Sequence, residues 1–187
     1  MKKILSECNF WHCSVPQQVT EDIRSEVFFD IPEERYNHKL AGNIKQEYVL
    51  KECRESVKDF VVATAWAYKA KPTKLNDLWV NYQAAGEFNP PHSHGGDLSF
   101  VIFHEIPYLI EHEMSRYPDV NGGSCAGHFS FQYTNPYGGI VNSMLPVDQT
   151  FEDTMFMFNA KLKHAVYPFY SNPEMHRITV AGNLSFA

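Results

Sequence analysis

From residue 78 onward the chain is a succession of short β-prone runs with turn residues between them and no helical pattern. This restricts the fold more than any other feature of the sequence. The runs fall at 78–83, 98–106, 127–133, 155–159, 164–169 and 177–186. Between them stand Gly95-Gly96, Gly122-Gly123, Asn135-Pro136-Tyr137-Gly138-Gly139 and Asn172-Pro173, residues whose backbones turn most readily. Strands at this density imply an antiparallel sandwich or jelly roll. The 14 Phe and 10 Tyr suit a strand-rich interior. The stretch 107–126 is polar and longer than a hairpin loop. It reads either as a lid or substrate loop or as a decoration of the fold.

The N-terminal part reads differently. Residues 1–38 are expected to be irregular, except for a short strand Val27-Phe28-Phe29-Asp30-Ile31 ended by Pro32. Residues 39–70 are expected to be helical. Leu50, Cys53, Val57, Phe60, Val61, Ala65 and Tyr68 recur mostly at three- and four-residue spacing, with charged residues between them and Pro72 as the stop. The whole, 187 residues, is expected to be one domain, with 1–75 as a helical support and 76–187 as the β core.

Composition excludes several classes. At 44% hydrophobic residues the chain should fold rather than remain disordered. A net charge of −6 disfavours a general nucleic-acid or anionic-membrane surface. Cys8, Cys13, Cys53 and Cys125 have no Cys-x-x-Cys spacing, which argues against a zinc knuckle and for reduced thiols in a cytoplasmic protein. Met1-Lys2-Lys3-Ile4-Leu5 begins as a signal peptide would, but Ser6-Glu7-Cys8-Asn9 breaks the apolar stretch. The longest mainly apolar run, 60–68, is far short of the ~20 residues of a membrane span.

Chemistry concentrates in Asn89-Pro90-Pro91-His92-Ser93-His94-Gly95-Gly96-Asp97. Extended backbone sends alternate side chains to opposite faces, so His92 and His94 point the same way. The prolines restrict the approach to this pair. The glycines allow a turn that can bring Asp97 back toward it. Two histidines and a carboxylate with open positions are the donor set of non-haem iron(II) oxygenases. Asp97 can equally cap the turn through its own backbone. Farther along, His164 opens one strand-like segment and Arg177, 13 residues later, opens the next. On adjacent antiparallel strands the two would share one cavity, a histidine for a metal and an arginine for a carboxylate. His104, His112, His128 and His176 read as surface or structural histidines.

These pieces, in this order, resemble the 2-oxoglutarate- and iron(II)-dependent oxygenases, and within them a prolyl-hydroxylase-like branch common in bacteria and tailed phages. The resemblance rests on Trp79-Val80-Asn81-Tyr82, Gly86-Glu87-Phe88-Asn89-Pro90-Pro91-His92-Ser93-His94, Leu98 to Phe103, Met155-Phe156-Met157-Phe158, His164 to Phe169, and Arg177 to Asn183. Leu40-Ala41-Gly42-Asn43-Ile44 is also similar to phage members. The resemblance implies a double-stranded β-helix (jelly roll, cupin-like) that holds Fe(II) through a His-x-Asp/Glu pair and a distal histidine. It implies that Arg177 binds the far carboxylate of 2-oxoglutarate with help from Thr179. Tyr82, Trp79 and Asn81 are expected to line the cavity from the neighbouring strand, Tyr82 and Asn81 at the cosubstrate, and core packing explains Trp79 equally well. His164 matches the distal histidine. The near motif departs from the pattern, since His94 stands where an acid is expected. Two ligand sets stay open: His92, His94 and His164, or one of His92 and His94 with Asp97 and His164.

The activity implied is hydroxylation of a substrate by O2 and 2-oxoglutarate, with release of succinate and CO2. Phe100, Ile102, Phe156 and Phe158 are expected to shield the reacting centre. Two rivals remain. One is a cupin-like metalloenzyme that uses the same His-x-His without 2-oxoglutarate. The other is a jelly-roll binding module with no chemistry. Nothing in the sequence names the substrate, which can be a protein residue or a small metabolite.

Overall fold

In a computed structural model, which describes residues 9–30, 32–116 and 124–187, the chain runs β1 (Phe10–Ser14), α1 (Gln17–Phe28), β2 (Gln46–Val49), α2 (Arg54–Lys69), β3 (Thr73–Gln83), β4 (Asn89–His92) and β5 (Leu98–Glu105), then α3 (Ile110–Ser115), β6 (Phe129–Thr134), β7 (Ile140–Leu145), β8 (Thr154–Asn159), β9 (Lys163–Val166) and β10 (Arg177–Phe186). The strands form two antiparallel sheets. One has six strands in the order β1-β8-β5-β10-β3-β2, the other four in the order β4-β9-β6-β7. This is a mostly β jelly roll, a double-stranded β-helix, with two of its helices packed on the larger sheet.

Both faces of the six-stranded sheet are covered, the outer one by helices and the inner one by the smaller sheet, and the inner face carries Asn81, Gln83, Arg177 and Thr179 among its apolar residues. On β5, Leu98, Phe100 and Ile102 join Met155 and Met157 of β8 and Ile178, Val180 and Leu184 of β10 in a core beneath the helices. Val19, Ile23 and Val27 of α1 and Val57, Val61 and Ala65 of α2 close it from above, each set at four-residue spacing along one helical stripe. The alternate residues Val101, Phe103, Phe156 and Phe158 face the smaller sheet and pack on Phe129 and Phe131.

Several expectations are corrected. Val27 belongs to the last turns of α1, where its neighbours four residues back, rather than its β-branching, decide the conformation; Ile31 lies outside the described residues. The helix expected over 39–70 begins only at Arg54, and 46–49 is a strand paired to β3. Its start is set by a contact distant in sequence: the Glu26 carboxylate accepts the N–H groups of Lys51 (2.7 Å) and Cys53 (2.8 Å). It ends at Ala70, in the left-handed conformation with φ 52°, whose N–H returns to the Trp66 carbonyl. Residues 1–38 are not irregular throughout, since β1 is an outer strand of the large sheet.

β4 and β7 have no counterpart in the expected strand set. β4 contains Pro90 and Pro91, which cannot donate to a ladder, and it occupies an edge of its sheet. Its pairing to β9 is made at Asn89↔Val166 and His92↔His164, with the irregularity across the prolines. Within 107–126, α3 is helical, and residues 117–123, including the Gly122-Gly123 turn, lie outside the described residues. The Met1–Cys8 expectations also lie outside them. Cys13, Cys53 and Cys125 are free thiols.

His104 shares the helix-facing side of β5. It is 2% exposed, both ring nitrogens lack a hydrogen-bond partner, and its ring lies 6.0 Å from Phe28. Burial, with the Arg24 charge adding, pushes its pKa down to about 4, against a weaker upward pull from Asp153. In the unfolded chain the ring takes a proton near pH 6.5, so between about 6.5 and 4 unfolding binds a proton and stability falls with falling pH. We expect His104→Leu to flatten the loss of stability between pH 7 and 5, by up to about 1.4 kcal/mol per pH unit, in urea unfolding at several pH values. Identical pH slopes for the two proteins would refute this.

Candidate metal centre

His92 ends β4 and sits opposite His164 of β9. Two residues on, His94 points to the same side, its backbone N–H donating to the Ala160 carbonyl at 2.9 Å. Ring centroids are 4.3 Å apart for His92–His164, 4.9 Å for His92–His94 and 5.0 Å for His94–His164. One ring nitrogen from each lies within 4.8 Å of the other two.

The protonation of this cluster follows from its surroundings. His92 Nδ1 is 2.7 Å from the Pro90 carbonyl, and His164 Nδ1 is 3.1 Å from the Leu162 carbonyl. A carbonyl only accepts, so each Nδ1 carries the proton and each Nε2 keeps its lone pair for the cluster. Burial lowers all three pKa values, that of His94 to about 4 and that of His164 well below the ordinary range, with the neighbouring imidazoles adding to both. At neutral pH the site is three neutral imidazoles facing one point. That donor set fits a divalent metal ion of the first transition row.

The walls are apolar and aromatic. Phe129 stacks on His164 at 5.8 Å, Phe158 meets it edge-on at 4.8 Å, and Trp79 lies 5.7 Å from His94. Trp79 Nε1 donates to Asn81 Oδ1 (3.1 Å), and Asn81 Nδ2 donates to Thr179 Oγ1 (3.0 Å). Asn81, Asn89, Val101, Phe129, Val166 and Thr179 line both the histidine lobe of the cavity and a second lobe that reaches Arg177.

Arg177 is 2% exposed. Its Nε donates to Gln83 Oε1 at 2.8 Å and its Nη1 to Tyr108 Oη at 2.7 Å and the Gly127 carbonyl at 3.2 Å. Nη2 lies 3.5 Å from the Tyr167 carbonyl. All four acceptors are uncharged. A guanidinium in such a place is held in position but not neutralised, and it can still receive a carboxylate.

Several sequence expectations are corrected here. His164 and Arg177 are not on adjacent strands: β9 belongs to the small sheet and β10 to the large one, so they approach one cavity from opposite walls. Asp97 is not in the histidine cluster. Its Oδ2 accepts the Phe186 N–H at 2.8 Å and its own N–H donates to the Leu184 carbonyl, which ties the loop to the end of β10. Gly96 supports that tie at φ 78°, since a Cβ there would lie 2.8 Å from the Leu184 oxygen. Tyr82 points away from the cavity and donates to the Val27 carbonyl of α1. Phe100 and Ile102 pack in the core under the helices, Phe100 also bordering the cavity, and Phe156 lies in the aromatic core between the sheets, while Phe158 faces the cavity.

Gln83 and Tyr108, which position Arg177, were not singled out in the sequence. Gln83 carried a signal, because it falls in step with Trp79 and Asn81 along β3 and pairs with Arg177 in the ladder. Tyr108 carried none, being brought to Arg177 by the fold from 69 residues away.

No family model matches the chain, and no curated protein matches it. Solved structures do. The non-haem alpha-ketoglutarate-dependent epimerase SnoN from nogalamycin biosynthesis matches at a TM-score of 0.63 and 11% identity, over 95% of this chain and 76% of that one. A Pseudomonas putida prolyl-4-hydroxylase matches at 0.57 and 11%, over 97% and 94%. HygX from Streptomyces hygroscopicus, solved with nickel, 2-oxoglutarate and hygromycin B bound, matches at 0.59 and 10%, over 95% and 83%. At these identities the likeness is one of fold.

Gln83→Leu removes the acceptor of a buried charged donor and is expected to cost about 1.5–3 kcal/mol in urea unfolding. A cost under about 0.5 kcal/mol, the range of ordinary surface changes, would mean that Gln83 does not hold the guanidinium.

Proposed function

We propose that this chain is a non-haem Fe(II)- and 2-oxoglutarate-dependent dioxygenase that hydroxylates a substrate, with succinate and CO2 as co-products. One observation carries the reading most: a buried guanidinium held by neutral acceptors shares a cavity with three neutral imidazoles. That arrangement suits a ligand that chelates a metal at one end and carries a carboxylate at the other. The fold shared with SnoN, the prolyl-4-hydroxylase and HygX is consistent with it.

In this reading His92, His94 and His164 hold the iron, which when bound supplies the oxidising chemistry with O2. The Nδ1 bonds to Pro90 and Leu162 orient two of the rings toward the ion. Arg177 receives the distal carboxylate, with the Thr179 hydroxyl beside it and Asn81 orienting that hydroxyl. Phe129, Phe158, Val101 and Val166 keep water from the reacting centre. In this reading Thr179 and Asn81, which line the lobe at Arg177, border the cosubstrate, and Tyr82, turned to α1, has no part in it. Among the described residues no helix is long and apolar enough to cross a membrane. A cytoplasmic enzyme acting on a protein residue or small metabolite fits the net charge of −6.

The test is anaerobic titration of 2-oxoglutarate into the Fe(II)-loaded protein, followed by the weak visible charge-transfer band of the chelate. The band is expected with the wild type. Arg177→Ala is expected to weaken binding about tenfold to a hundredfold, the loss of a charge-assisted pair. Stoichiometric metal with no band would favour a metalloenzyme that does not use 2-oxoglutarate. No metal binding would leave a binding module.

A further inference from the structure

The cavity contains more positive charge than its proposed contents can neutralise. Its three candidate ligands are neutral imidazoles, so a divalent ion would keep its full charge of two. Arg177 adds a third positive charge through uncharged partners. Among the described residues no Asp or Glu lines either lobe. Asp97, the nearest acid in sequence, faces the Phe186 amide instead. Asp77 acts on His94 electrostatically, but from outside the lining, where the Tyr36 hydroxyl bonds to it. Glu87 accepts the Ala84 N–H, and burial pushes the pKa of Glu47 up to about 7.

With a carboxylate at position 94 the sum would close: one net charge from the ligated ion, one from Arg177, and two negative charges from a dicarboxylate. With His94 one positive charge is left in a cavity whose other described lining is uncharged, the amides and hydroxyls of Asn81, Asn89, Ser99 and Thr179 beside Phe129, Phe158, Val101 and Val166. An unpaired charge in such surroundings is costly. We infer that the cavity takes a monoanion in addition to the dicarboxylate, either a carboxylate carried by the organic substrate or a free halide. This rests on the proposed function and narrows it. The substrate class becomes an anionic small molecule or side chain, or a neutral one that is bound together with an inorganic anion.

The experiment uses the anaerobic Fe(II)–2-oxoglutarate protein and follows the same band as sodium formate, sodium chloride or neutral formamide is added. Formate or chloride is expected to shift the band saturably, with formamide at equal concentration leaving it in place. Saturation at lower concentration by formate assigns a substrate carboxylate, and by chloride a free halide. His94→Asp returns a negative charge to the site, and the anion response of whatever band it gives is expected to be weaker by roughly tenfold or more. If that variant fails to fold by circular dichroism, the contrast between formate and formamide in the wild type decides alone. A 2-oxoglutarate band unmoved by both anions, or moved equally by formamide, overturns the inference and leaves the dioxygenase reading standing. Absence of the band altogether overturns the dioxygenase reading, and the inference falls with it.

Discussion

The alternation of side chains along β3 and β10, regular over the pairs from Arg177↔Gln83 to Gly182↔Leu78, is what the molecule depends on. On β3, Leu78 and Val80 turn to the helices, while Trp79, Asn81 and Gln83 turn to the cavity. On β10, Ile178 and Val180 go to the helices, while Arg177 and Thr179 go to the cavity. The ladder aligns these rows, with Arg177 opposite Gln83 and Thr179 opposite Asn81. A slip of one residue would place a guanidinium and two amides in the helical core and several aliphatic side chains in the cavity. The two rows of apolar residues therefore secure the polar row between them. The α1 and α2 stripes that cover the outer face belong to the same constraint.

The smaller sheet supplies what the larger cannot. It presents His92 and His164 from paired strands, and the rings of its own Phe129 and of Phe158 from the larger sheet lie against His164. Buried imidazoles in aromatic surroundings resist protonation, so the cluster offers lone pairs rather than charges. Arg177 shows the converse. Its burial is compensated by Gln83, Tyr108 and backbone carbonyls, a set that satisfies hydrogen bonding and leaves the charge in place. Neutral donors at one end and a retained cation at the other give the cavity its polarity. The aromatic core between the sheets fixes the distance between them.

Much of this was legible in the chain. The β-prone runs located most of the strands, because their turn residues are explicit. The one-residue spacing of His92 and His94 was enough to place two rings on one side of an extended segment. The elements that were not legible have local signals that point elsewhere or are weak. The Pro90-Pro91 pair speaks against a strand, and it is accommodated because β4 is an edge that needs few ladder bonds. Val27-Phe28-Phe29 has strand propensity, and packing on the sheet makes its start helical. The beginning of α2 depends on Glu26, twenty-seven residues before Cys53.

By itself the sequence determined the strand-rich class and which side chains share a face within each strand, since a period of two needs no knowledge of neighbours. It also determined that imidazoles, an arginine and a hydroxyl were present in an order that one cavity can use. Only the tertiary structure decided which sheet each strand joined, and so that His164 and Arg177 face each other from opposite walls. It alone decided that Asp97 turns to the Phe186 amide, that Tyr82 turns to α1, and that Tyr108 reaches Arg177. Those outcomes depend on pairing and register between segments far apart in the chain, and strand periodicity carries no information about either.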